Sequence, residues 1–116
     1  MVFLNLHLNS TNHLLTLIRT NNTTYKQMIF KRAFLSTNAL SKKIYYLEIR
    51  DLYINETFSN INDKQLVPIY EGINENINLI LTPENHIPQK IEYNIYDESG
   101  QLTNDIVTIN VLIELL

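Results

Sequence analysis

Apolar residues recur at every second position along most of this chain, which is the period of a β-strand with one buried face. Val2, Leu4, Leu6 and Leu8 alternate with Phe3, Asn5, His7 and Asn9. Tyr45, Leu47 and Ile49 alternate with Tyr46, Glu48 and Arg50, and Ile91, Tyr93 and Ile95 with Glu92, Asn94 and Tyr96. The last segment is the clearest, with Val107, Ile109, Val111, Ile113 and Leu115 filling alternate positions against Ile106, Thr108, Asn110, Leu112 and Glu114. Four segments carry the pattern less regularly: His13 to Arg19, Tyr25 to Leu35, Gln65 to Tyr70, and Asn76 to Thr82. In the second of these, Met28, Phe30 and Phe34 are the expected inward positions, set against Gln27 and Lys31. The total is eight strands.

Turn formers divide them at Asn21 to Thr24, Asn60 to Lys64, Thr82 to Asn85 and Asp97 to Gln101. Gly100 is expected to supply a positive φ between the last two strands. The polar interval Asn55 to Lys64 has room for one helical turn. Eight short strands, each apolar on one face, predict an all-β fold of two packed antiparallel sheets, for which a single jelly roll is the natural solution. An immunoglobulin-like sandwich is the alternative. It is disfavoured because the chain has neither the tryptophan nor the cysteines of that fold's core. A closed barrel is also compatible with the pattern. The expected core is Val107, Ile109, Val111, Ile113 and Leu115 together with Leu4, Leu6, Leu47, Ile49, Tyr93 and Ile95.

Composition narrows the class. With 116 residues, 45% of them hydrophobic and 18% charged, residues 1–116 form one domain able to bury its own core. The longest apolar runs are Met1 to Leu4 and Ile44 to Leu47. Both fall far short of the roughly 20 residues of a membrane-spanning helix, so no span is expected. The start lacks a basic region, and Asn5 and His7 interrupt its apolar run, so no secretion signal is expected. Few alanines and many isoleucines favour strands over helices. The 16 asparagines and 16 isoleucines are also what an AT-rich genome produces, so the bias assigns no function.

Charge is divided along the chain. Residues 1–47 carry six basic side chains and no acid, whereas residues 48–116 carry three basic and twelve acidic ones. A basic half could serve nucleic acid. In the usual jelly-roll order, however, one sheet holds strands one, eight, three and six. That order brings Lys26, Lys31 and Arg32 beside Glu75, Glu84, Asp105 and Glu114. It also sets Arg19, Lys42 and Lys43 near Glu92, Asp97 and Glu98 in the second sheet. Cancellation is therefore expected over a nucleic-acid face, in keeping with the net charge of −3.

No catalytic constellation emerges. Glycines at 72 and 100 only cannot build a phosphate loop. His7, His13 and His86 have no partners at metal-ligand spacing. Asp97 with Glu98, and Glu71 with Glu75, are carboxylate pairs better suited to exposed turns than to acid–base work. No catalytic, cofactor-binding or metal-binding residue is assigned, and the chain is not expected to be an enzyme. Tyrosines 46, 53, 70 and 96 are suited to a glycan or to a protein interface. The outward residues Tyr46, Glu48, Arg50, Tyr96 and Leu112 are the candidate interface.

Two segments resemble a known family. Ile44-Tyr45-Tyr46-Leu47-Glu48-Ile49-Arg50-Asp51-Leu52, followed by a polar interval and Val67-Pro68-Ile69, resembles the middle of single-jelly-roll minor capsid proteins of eukaryotic double-stranded DNA viruses, of virophage, polinton-like or giant-virus type. Ile91 to Tyr96, the turn Asp97 to Leu102 and the closing strand through Leu115 are similar to the end of such domains. The resemblance covers residues 44 to 116. It implies a non-enzymatic minor capsid, cement or vertex subunit located in the virion, with other capsid proteins and itself as partners. A binding module for a glycan or host protein is the alternative.

Overall fold

Period-two segments fold as expected when a second apolar face is available to cover them, and a computed structural model of the chain shows two such faces packed together. The structure describes residues 2–12, 14–16, 27–40, 43–50, 52–54, 59–61, 64–83 and 90–116. Among them the strands are β1 (Val2–Asn9), β2 (Leu14–Thr16), β3 (Met28–Thr37), β4 (Ile44–Ile49), β5 (Leu52–Ile54), β6 (Ser59–Ile61), β7 (Lys64–Tyr70), β8 (Gly72–Asn74), β9 (Leu79–Pro83), β10 (Lys90–Tyr96) and β11 (Val107–Leu115). All eight expected strands are present, and β5, β6 and β8 are short additions. No helix occurs among the described residues. Of the interval proposed to hold a helical turn, Ser59–Ile61 and Lys64 are strand, and the rest lies outside the described residues.

One sheet runs β1-β11-β3-β9-β5, with β8 also paired to β3, and the other runs β2-β10-β4-β7-β6. All pairings between strands are antiparallel. Counting only the eight expected strands, the sheets read one, eight, three, six and two, seven, four, five. The core lies between them. The first sheet supplies Leu6, Leu8, Met28, Phe30, Ala33, Leu35, Leu79 and the β11 series from Val107 to Leu115. The second supplies Tyr45, Leu47, Ile49, Val67, Ile69, Ile91, Tyr93 and Ile95. Each fully buried aliphatic side chain contributes about 1.5 to 3 kcal/mol of transfer free energy. Leu4, placed in the core by its alternation, is only half-buried and packs at the margin.

In β3 the expected phase is wrong beyond its third residue. Leu112 of β11 stands opposite Arg32 while Ile113 stands opposite Phe30, so Lys31 is an extra residue and the ladder bulges there. The insertion exchanges the two faces for the rest of the strand. Ala33 and Leu35 are buried in place of Phe34, which is 46% exposed.

The loop between β10 and β11 is fastened at both ends. Gly100 has φ of +84°, as its position predicts, and its N–H donates to the Asp97 carbonyl at 3.1 Å. Asp97 Oδ1 accepts from the Ser99 N–H, the Ser99 hydroxyl and the Gln101 N–H. These donors, Ser99 first, hold the Asp97 carboxyl below its ordinary pKa. Farther along, Asp105 Oδ2 accepts from the Tyr45 hydroxyl at 2.7 Å and from Lys43 Nζ at 3.3 Å. The Asp105 carbonyl accepts from the Ser10 hydroxyl at 2.8 Å. This joint ties β4 of one sheet to the corner after β1 of the other.

Candidate functional site

The bulge in β3 shapes an indented surface on the outer face of the first sheet. By placing Lys31 and Arg32 against a single residue of β11, it sets two consecutive basic side chains beside the same depression. The Lys31 carbonyl, freed from the ladder, accepts the Ile77 N–H at 3.0 Å. That bond draws the irregular segment after β8 across the strand. Asn76 and Asn78 adopt φ of 57° and 50° on either side of Ile77, a conformation asparagine tolerates better than most residues.

Asn74 fixes the other wall. Its side chain accepts the Tyr70 N–H at 3.0 Å and donates to the Tyr70 carbonyl at 2.8 Å, closing the turn between β7 and β8. With Gly72 at φ of +95°, the chain reverses so that Ile73 stands opposite Phe34. Two adjoining depressions of about 310 and 730 Å³ result, sharing Asn5, Arg32, Glu75 and Leu112. Phe34 and Ile73 line the first, and Phe3 and Lys31 the second. Ile73 is 72% exposed and Phe3 43%, so the surface offers apolar contact beside amide and guanidinium donors.

The five candidate interface residues do not share one surface. Leu112 is half-buried between the two depressions of the first sheet, whereas Tyr46, Glu48 and Tyr96 lie on the outer face of the second. Tyr96 is the principal correction: although its alternation points it outward, it is only 5% exposed. It sits in a cross-strand row between Tyr46, itself opposite Pro68, and Leu102, which bridges to Tyr96 from the loop. Its hydroxyl donates to Glu48 Oε1 at 2.8 Å, and Asn94 Nδ2 donates to the same oxygen at 3.0 Å. Tyr96 and Glu48 are thus engaged within the chain. Tyr46 is half-buried, and Arg50 is exposed with its Nη1 3.5 Å from Glu92 Oε2.

The charge division partly cancels, as expected from the sequence. Lys31 Nζ lies 3.9 Å from the Glu114 carboxylate, itself nearly buried, and Lys43 pairs with Asp105. Lys43 pairs directly with Asp105 rather than with Glu92 or Glu98, and, as expected, its charge also reaches Asp97, whose pKa it helps to lower. Arg19, Lys26, Lys42 and Glu84 lie outside the described residues, as do His13 and His86, together with the side chain of Tyr53.

At the joint, Tyr45 donates its one proton to Asp105, so Thr37 Oγ1, at 3.1 Å, is the donor to the tyrosine oxygen. Burial, reinforced by the Asp105 carboxylate, pushes the Tyr45 hydroxyl up to about 12. The Tyr45 hydrogen bond, followed by Lys43, holds Asp105 below its ordinary value. These groups satisfy one another and fasten the fold. No group of three or more metal-ligating side chains occurs among the described residues, and no helix there is long and apolar enough to cross a membrane. No protein-family model, curated protein or solved structure matches the chain.

Proposed function

We propose that this chain is a non-enzymatic structural subunit, a single jelly roll that assembles into or onto a viral capsid as a minor, cement or vertex component. The observation that carries this reading is the strand order one, eight, three, six against two, seven, four, five, the two-Greek-key arrangement of a jelly roll. The resemblance of residues 44 to 116 to minor capsid proteins agrees with it. A fold alone does not specify a function. The surface adds a means of attachment: Phe3, Phe34 and Ile73 are exposed on one sheet face and suited to burial against another subunit. The test is the composition of purified particles. A fixed number of copies per particle, retained through density sedimentation, is the expected result, and absence from the particles overturns the proposal.

A second reading, a binding module for a glycan or host protein, is favoured by one feature. The depression that sets Phe34 beside Arg32, Asn5 and Asn110 combines an aromatic ring with polar donors and acceptors. Selective capture on a glycan or host-protein array, lost on substitution of Phe34 and Arg32, would support this reading over the first.

A further inference from the structure

The edges of the two sheets are unequal. Among the described residues the edge strands β5, β2, β6 and β8 have three residues each, while the edge strand β1 has eight. Short edges give little for another strand to pair with, and long ones are normally guarded by lysine, proline or a bulge. β1 has none of these guards: Val2 to Asn9 contains no charged residue and no proline, and pairs with β11 in unbroken register.

Hydrogen-bond parity shows which backbone groups face outward. The Ser10 N–H donates to the Val107 carbonyl, so Leu8, Leu6 and Leu4, two residues apart in the same register, direct their backbone groups toward β11. Phe3, Asn5, His7 and Asn9 direct theirs to the open side. At Asn9 that side is closed, because the Tyr93 hydroxyl accepts from the Asn9 N–H at 3.1 Å and donates to its carbonyl at 3.3 Å. Phe3, Asn5 and His7 have no such partner among the described residues.

We propose that β1 is a docking edge for a second copy of this chain, paired antiparallel about a two-fold axis at Asn5. The sequence is complementary to itself in that register. Asn5 faces Asn5 of the other copy, Phe3 faces His7, and the three pairs exchange six backbone hydrogen bonds. On the inner side Leu4 meets Leu6, covering the half-buried Leu4 and extending one core row into the next. On the outer side the ring of Phe3 meets an imidazole, and no charge opposes another. An isologous contact of this kind joins the two six-stranded sheets into one. The dimer requires only the purified chain and no capsid.

The test is sedimentation of the purified protein over a range of concentrations, with amide exchange followed residue by residue. A monomer–dimer equilibrium is expected. With rising concentration the amides of Phe3, Asn5 and His7 should become protected, while those of Leu4, Leu6 and Leu8 are protected throughout. Asn5→Lys sets two like charges face to face and should weaken the dimer by up to about fivefold, whereas Ser36→Lys, on an interior strand of the same sheet, should not. Asn5→Cys offers a further check, because the chain has no other cysteine. Paired strands bring the two Cα atoms to roughly 5.5 Å, so oxidation should yield a disulfide-linked dimer faster than it does for Ser36→Cys. A protein that stays monomeric at every concentration overturns the proposal, as does a dimer that leaves the Phe3, Asn5 and His7 amides unprotected.

Discussion

The two sheets present opposite kinds of outer face. On the second sheet, Tyr46, Glu48, Asn94 and Tyr96 bond and pack with one another, and the ring of Tyr96 is covered by its own neighbours. On the first, Phe3, Phe34 and Ile73 remain exposed around a depression bordered by Lys31 and Arg32. Both faces point away from the core by alternation. How open each is depends on local irregularity: around Tyr96 the loop after β10 folds back over one face, which leaves Tyr70 exposed at its margin, whereas the bulge in β3 turns an aromatic ring out on the other. Pointing outward and being available to a partner are separate properties.

Truncation of Tyr96 should have the largest effect. Tyr96→Ala removes a buried ring and a hydrogen bond to a carboxylate, which should cost about 2 to 4 kcal/mol. Tyr96→Phe keeps the ring and should cost about 1 kcal/mol. Urea unfolding of the two variants measures both. A cost near zero for the alanine variant would return Tyr96 to the surface and restore it as a docking residue.

The joint at Asp105 holds the two sheets together at one end, and its pH dependence has a definite sign. Asp105 has a folded pKa below its unfolded value of about 3.9. Its contribution to stability is therefore present above that value and is lost as pH falls through the folded pKa. Tyr45 has a folded pKa pushed up from 10.0 to about 12. Its contribution is present below pH 10 and is lost as pH rises toward 12, where a tyrosinate would form beside Asp105. Melting temperature should fall at both extremes. Tyr45→Phe should flatten the alkaline fall and, by removing the strongest donor to Asp105, reduce the acid one. An unchanged alkaline profile would show that Tyr45 does not titrate in this environment.

Most of the fold is legible in the sequence, because one buried face fixes the phase of a strand. The β11 series from Val107 to Leu115 and the β4 and β10 pairs are buried where alternation puts them. β3 is the exception. Its bulge falls at Lys31 and Arg32, where no glycine marks it, and a one-residue insertion is invisible to a period-two pattern. The depression was hidden for the same reason, since it needs Phe34 on the outer face and Ile73 brought opposite from the turn held by Asn74. The sequence does carry a partial signal for that wall. Gly72, Asn74, Asn76 and Asn78 follow one another at two-residue spacing, and glycine and asparagine are the residues that most readily leave the strand conformation. The candidate interface failed at Tyr96 because its cover is tertiary, supplied by Leu102 from a loop whose path alternation does not describe.

The smallest effect is expected at the exposed face, and its smallness is informative. Phe34 and Ile73 are opposite one another, Ile73 largely solvated and Phe34 about half-covered, so replacing both with serine removes less buried area than truncating Tyr96 and breaks no side-chain hydrogen bond. Stability should fall by less than about 0.5 kcal/mol at Ile73 and by about 1 kcal/mol at Phe34, whose ring is half-covered, with the lower strand propensity of serine contributing at both. If this face serves attachment, the same double variant should be depleted from particles, or lost from its array partner, while still unfolding cooperatively close to the wild type. A large loss of stability would mean that Phe34 and Ile73 support β8 against β3 as structural residues. The contrast between the two outer faces would then be one of geometry alone. Unchanged stability combined with unchanged attachment would shift the search for the docking surface to the β1 edge, where backbone groups rather than side chains make the contact.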